Sequence, residues 1–127
     1  MWYVRYEGET PNTPGRHTGI FGLANGLARG GALSREDYAW WRASNDWIDA
    51  AYPDPGTVDA TLFDKTIHPS ATCWFKATAD ADPILARVPG YLALLDRYGV
   101  MWRERRVPKT GRILYEDPVQ VISDGRP

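Results

Sequence analysis

The sequence predicts an α+β domain in the order β-α-α-β-α-β-β, and three observations carry that prediction. Segments that alternate bulky and polar residues stand near both ends and once in the middle of the chain. Segments with apolar residues at helical spacing lie between them, and Gly and Pro fall mostly at the joins. A four-stranded, largely antiparallel sheet with the helices packed on one face satisfies this order. With 127 residues, 43% of them hydrophobic, the chain suffices for a single domain over 1–127 that needs no staples.

The elements follow in turn. Met1 to Glu7 reads as a strand with Trp2, Val4 and Tyr6 on the core side and Tyr3, Arg5 and Glu7 on the other. After a loop from Gly8 to Gly15, Thr18 is placed to cap a helix that runs to about Arg29 and stops at Gly30-Gly31. Ile20, Leu23, Ala24, Leu27 and Ala28 form its apolar stripe. Gly19, Gly22 and Gly26 beside that stripe predict a backbone crossing at close range, since each glycine costs a helix about 1 kcal/mol relative to alanine.

Ser34 and Asp37 open a second helix that Pro53 ends near Ala51. Tyr38, Trp40, Trp41, Trp47, Ile48 and Ala51 make a broad apolar face on which Asn45 must find hydrogen-bond partners. Residues 52–70 read as irregular, either a binding loop or a short helix. Ala71–Lys76 is a strand with Cys73 and Phe75 inward and Trp74 and Lys76 outward. Asp82-Pro83 starts a third helix, kinked at Pro89 and ended by Gly99, with Ile84, Val88, Tyr91, Leu92, Leu95 and Tyr98 along one stripe. Val100–Val107 and Arg112–Ile122 form a hairpin around Pro108-Lys109-Thr110-Gly111, and Pro118 marks a bulge or an edge in its second strand. The buried set is then Leu23, Leu27, Trp41, Phe75, Leu92, Leu95 and Val119.

Charge and composition exclude several function classes. Fifteen basic against sixteen acidic side chains leave a net charge of −1, which removes the bulk attraction behind non-specific nucleic-acid binding. Cys73 is the only cysteine, so no intramolecular disulfide can form, and no cysteine-based zinc site either. Only His17 and His68 are available as imidazole ligands, and Pro69 works against a helical Asp64–His68 pair, so no metal and no cofactor is expected. No apolar run approaches the ~20 residues a membrane helix needs, and nothing marks export, which makes the cytoplasm the expected location.

Two surfaces carry the candidate chemistry. With helices on one sheet face, alternation gathers Tyr3, Arg5, Trp74, Lys76, Arg103, Arg105 and Glu116 on the other, and a four-residue hairpin loop sets Arg103 opposite Glu116. Aromatic rings among cations suit a planar or anionic ligand, or a partner protein. The plainer reading is a solvated sheet face whose charges add little to stability. The second surface is Pro14-Gly15-Arg16-His17-Thr18-Gly19, a glycine-rich turn running into a helix start, where free N–H groups with Arg16 and His17 could hold an anion. It matches neither a Walker nor a Rossmann fingerprint, and most helix starts bind nothing.

Thr72-Cys73-Trp74-Phe75-Lys76, Leu114-Tyr115-Glu116-Asp117-Pro118-Val119-Gln120-Val121 and Thr18-Gly19-Ile20-Phe21 resemble motifs of a small group of uncharacterised bacterial proteins. That group has no assigned activity, so the resemblance implies a bacterial source and no catalytic residue. The leading expectation is a small binding module that uses Arg5, Trp74, Lys76, Arg103 and Glu116, with Arg16 and His17, for an anionic small molecule or a protein partner. A small enzyme with Glu116 or His68 as acid or base, and a subunit that forms a homodimer through the sheet face, are the competing readings.

Overall fold

Local sequence places the strands and helices close to where the pattern puts them. β1 spans Tyr3–Gly8, α1 Ile20–Arg29, α2 Arg35–Ala51 and α3 Pro55–Val58. β2 spans Thr72–Lys76, α4 Asp82–Leu85, α5 Val88–Arg97, β3 Trp102–Val107, β4 Arg112–Glu116 and β5 Gln120–Asp124, with a 3-10 turn at Ala79–Ala81 before α4. The computed structural model describes residues 1–12 and 15–124. The fold is α+β with an antiparallel sheet, and the sheet has five strands in the order β3-β1-β2-β5-β4.

The fifth strand comes from Asp117-Pro118, which is a turn and not an edge or a bulge. The Asp117 N–H donates to the Gln120 carbonyl at 3.0 Å, which closes a tight hairpin with Pro118 as the first loop residue, where its fixed φ fits. Asp117 Oδ1 accepts the N–H groups of Val119 and Gln120 at 2.9 and 3.0 Å. β4 and β5 therefore form the hairpin, and β3 and β4 stand at the two ends of the strand order. The predicted hairpin around Pro108–Gly111 and its Arg103–Glu116 pair do not form. The Asp117 side-chain hydrogen bonds hold that turn, and β4 pairs with the segment that follows it.

Contacts gather the chain into two units, one made of Met1–Arg5, Ala51–Leu85 and the chain from Arg106 on, the other of Tyr6–Ala50 and Ala86–Arg105. In the first unit Tyr3 and Val4 pair with Lys76 and Phe75, and Cys73 and Trp74 pair with Ile122 and Val121. Val4 and Ile122 are buried on one sheet face and Trp74, Val121 and Ser123 on the other. This overturns the expectation of an open face at Trp74, which is 2% exposed. Phe75 and Cys73 are only half-buried. Cover for two faces requires apolar groups outside the strands, and in this unit Pro55, Leu62, Ala81 and Ile84 are buried.

Segment 52–70 holds both a short helix and ordered turns. Asp54 caps α3 by accepting the Gly56 N–H. Asp59 and Asp64 then build two matching turns, each Oδ1 accepting the N–H and the Oγ1 hydroxyl of the threonine two residues on, at 2.9 and 2.7 Å.

Pro89 separates two helices instead of kinking one. It lies in the first turn of α5, where its missing N–H costs nothing, and α4 ends at Leu85. In the second unit α5 buries Val88, Tyr91, Leu94 and Leu95, and α1 buries Ile20, Ala24 and Ala28. Leu23, Leu27 and Leu92, expected in the core, are half-buried. Once α5 starts at Val88, Leu94 takes the inward position three residues after Tyr91.

The close crossing predicted at Gly22 and Gly26 is absent. A Cβ at Gly26 would meet nothing within 4 Å, and one at Gly22 only the Thr18 methyl at 3.0 Å. The close approach is at Gly90, where a Cβ would lie 2.4 Å from Cζ2 of Trp40. On α2 only Trp41 and Ser44 are buried, while Tyr38, Trp40 and Trp47 keep exposed edges. Asn45 finds the partners it needs: its Nδ2 and the Trp41 indole N–H both donate to Asn25 Oδ1 at 2.9 and 3.0 Å, and the Tyr91 hydroxyl donates to Asn45 Oδ1. Ser34 caps α2, its Oγ accepting the Asp37 N–H.

Candidate functional site

A carboxylate that the sequence reading set aside organises the second unit. Glu7 sits near the end of β1 with 1% of its surface exposed. An ionised group so deep is tolerated only beside cations and donors. Arg103, on β3, brings Nε and Nη2 to 2.8 and 2.6 Å of Glu7 Oε2. Arg105, two residues along the same strand, places Nη1 3.6 Å from Oε1.

The third group, an imidazole, arrives from the chain before α1. The Gly8 N–H donates to the Thr18 carbonyl at 2.8 Å, and Glu7 bridges Gly19, so residues 17–19 run antiparallel to the end of β1. His17 is thereby set with Nδ1 2.8 Å from the Gly8 carbonyl and 3.9 Å from Glu7 Oε2. Arg103 and His17, taken from sequence as members of two surfaces, thus meet at one carboxylate. The neighbouring Arg16 is half-buried, its N–H bonded to Asn12 Oδ1. Gly19 precedes α1 with no side-chain cap, so Thr18 does not cap it, and Pro14 lies outside the described residues.

The remaining predicted residues form a separate group in the first unit. Lys76 lies opposite Tyr3, which sets Arg5 opposite Trp74, and Trp74, Val121 and Glu116 follow across β2, β5 and β4. Arg5, Trp74, Lys76 and Glu116 thus share a sheet face. Lys76 Nζ is 2.5 Å from Glu116 Oε2, and Arg5 donates to the Cys73 carbonyl at 3.0 Å. With Trp74 buried, its ring forms part of the core of this unit and is not offered for stacking.

Other titratable groups have identifiable structural tasks. Burial pushes the Cys73 thiol up to about 11, and its Sγ lies 3.2 Å from Gln120 Oε1, so it is a poor nucleophile at neutral pH. Burial would raise Asp117, but the Tyr115 hydroxyl, the N–H groups of Val119 and Gln120 and the Gln120 amide outweigh it and hold the carboxyl below its ordinary value. The same bond, with burial, lifts Tyr115 to about 12. His68 Nδ1 lies 3.8 Å from Asp124 Oδ2.

Glu7 is the residue sequence reasoning missed. Its signal was a carboxylate in a strand on the same face as Arg5, in a chain whose β3 carries Arg103, Arg105 and Arg106. Among the described residues no group of three or more His, Cys, Asp and Glu could hold a metal ion, and no helix is long and apolar enough to cross a membrane. No family profile, no curated protein and no solved structure matches the chain.

Proposed function

We propose that this protein is a small binding module for an anionic ligand, held at the rim where Arg103, Arg105 and His17 converge on Glu7. One observation carries the reading. Glu7 is wholly buried, while the side chains of Arg103 and Arg105 remain 41% and 36% exposed. The carboxylate fixes one edge of the Arg103 guanidinium and leaves the rest of that planar donor array at the surface. Fixed guanidinium groups lose less entropy on binding than free ones, and each charge-assisted hydrogen bond adds about 1.5–3 kcal/mol to a bound state.

Inorganic phosphate at ~10 mM should raise the melting temperature of the parent protein, because it binds the native state alone. Arg105→Ala should lose most of that gain, and sodium chloride at equal ionic strength should not reproduce it. An equal gain in Arg105→Ala, or with chloride, would remove the reading.

An acid–base enzyme is the second reading, and His68 supports it better than Glu116 does. Asp124 lies within 3.8 Å of the His68 ring, whereas Glu116 is tied to Lys76 and half exposed. If His68→Ala left every activity found in the parent intact, this alternative would be eliminated.

A further inference from the structure

We infer that the groove between α2 and α5 binds a small organic cation, its charged head seated over the Trp40 indole beside Glu36. This site is independent of the anion rim at Glu7. The groove has a volume of about 510 Å³ and is lined by Ser34, Glu36, Asp37, Trp40, Gly90, Ala93 and Arg97. That size lies within the ~300–1,000 Å³ of small-molecule pockets.

The aromatic element is held in place from two sides. Gly90 has no side chain, so the six-membered edge of the Trp40 indole lies against the α5 backbone, where a Cβ would come within 2.4 Å of Cζ2 and 2.9 Å of Cη2. The Tyr91 ring packs against it in a T-shaped arrangement, with centroids 5.0 Å apart and planes at 69°. Trp40 as a residue nevertheless remains 37% exposed. A ring fixed in this way needs no further ordering to receive a cation on its open surface, and Trp is the best of the aromatic partners for a cation.

Charge selects the sign of the ligand. Arg97 is bound to Asp37, Nη2 to Oδ1 at 2.7 Å, and the Tyr98 hydroxyl donates to Asp37 Oδ2 at 2.7 Å. The Arg97 and Tyr98 hydrogen bonds keep Asp37 ionised. With Arg97 opposed by Asp37, Glu36 leaves the lining with a net negative charge. A metal ion would need several oxygen ligands at once, and Asp37 is already engaged on both oxygens. A soft, poorly hydrated ammonium or guanidinium head, with its alkyl part on Trp40, Gly90 and Ala93, fits both the ring and the carboxylate.

The test is a titration of the intact, nitrogen-15-labelled protein with tetramethylammonium chloride, following the Trp40 indole N–H resonance. A saturable shift is expected, absent with sodium chloride at equal ionic strength. Glu36→Gln should weaken the apparent affinity by about threefold or more, and Trp40→Leu should abolish the parallel shift of the Gly90 and Ala93 backbone amides that line the groove. Glu36 is exposed, so its variant folds and decides the matter even if Trp40→Leu does not fold. No saturable shift, the same shift with sodium chloride, or unchanged affinity in Glu36→Gln would overturn the inference.

Discussion

Replacing Arg103 by Met removes the guanidinium from Glu7 Oε2 while keeping most of the side chain's length. Two charge-assisted contacts at 2.6 and 2.8 Å are lost. Each would be worth about 1.5–3 kcal/mol in a dry site, but Arg103 is 41% exposed, so solvent screens part of that. Glu7 is left buried, with the Arg105 guanidinium 3.6 Å and the His17 ring 3.9 Å from its carboxylate. A buried charge stripped of its main partner costs about 3–5 kcal/mol, and the remaining Arg105 guanidinium lowers that to roughly 2–3 kcal/mol here. Glu7→Leu should cost less, about 1–2 kcal/mol, because the half-exposed guanidinium groups can return to water. The double variant Glu7→Leu/Arg103→Met should fall within about 1 kcal/mol of the parent, for a coupling of about 3 kcal/mol. Urea unfolding of the four proteins, with m-values checked for equality, measures this cycle directly. Additive effects within about 0.5 kcal/mol, or an Arg103→Met variant as stable as the parent, would show that Arg103 does not hold Glu7. Arg103 would then be the surface charge the sequence expects, and the rim would have no fixed geometry.

Two further outcomes follow from other parts of the fold. Gly90→Ala should destabilise by about 1 kcal/mol or more, since crowding against Trp40 outweighs alanine's helix preference, whereas Gly26→Ala should stabilise by up to about 1 kcal/mol; equal gains at both sites in thermal melts would show that Trp40 does not rest on α5. Asp117 has a depressed folded pKa, so its contribution is fully present above the ordinary carboxylate value of about 3.9 and is lost as pH falls through the folded value. The gap in urea midpoint between parent and Asp117→Asn should therefore be wide at pH 7 and narrow well below pH 4, and a gap independent of pH would mean that the charge plays no part in the turn.

Local chemistry by itself determined the positions of β1, α1, α2 and β2, because caps, turns and periodicity act over a few residues. Ser34 caps α2, Gly30 follows α1, and the β2 strand lies within one residue of its predicted span. The period of two also set Arg5, Trp74, Lys76 and Glu116 on a common face, and the apolar surroundings of Asn45 required the hydrogen bonds it makes. Tertiary structure decided what those faces meet. Alternation separates two sides of a strand but does not say which is covered, so Trp74 was placed in solvent and is core. Pro89 reads as a kink because the apolar stripe runs through it, and only the chain turning away before it makes it a first-turn residue, while the partner of β4 depends on the turn that the Asp117 side chain holds. Glu7 is the sharpest case. Its burial depends on a guanidinium 96 positions away in the chain, and no local preference of a glutamate carries that information.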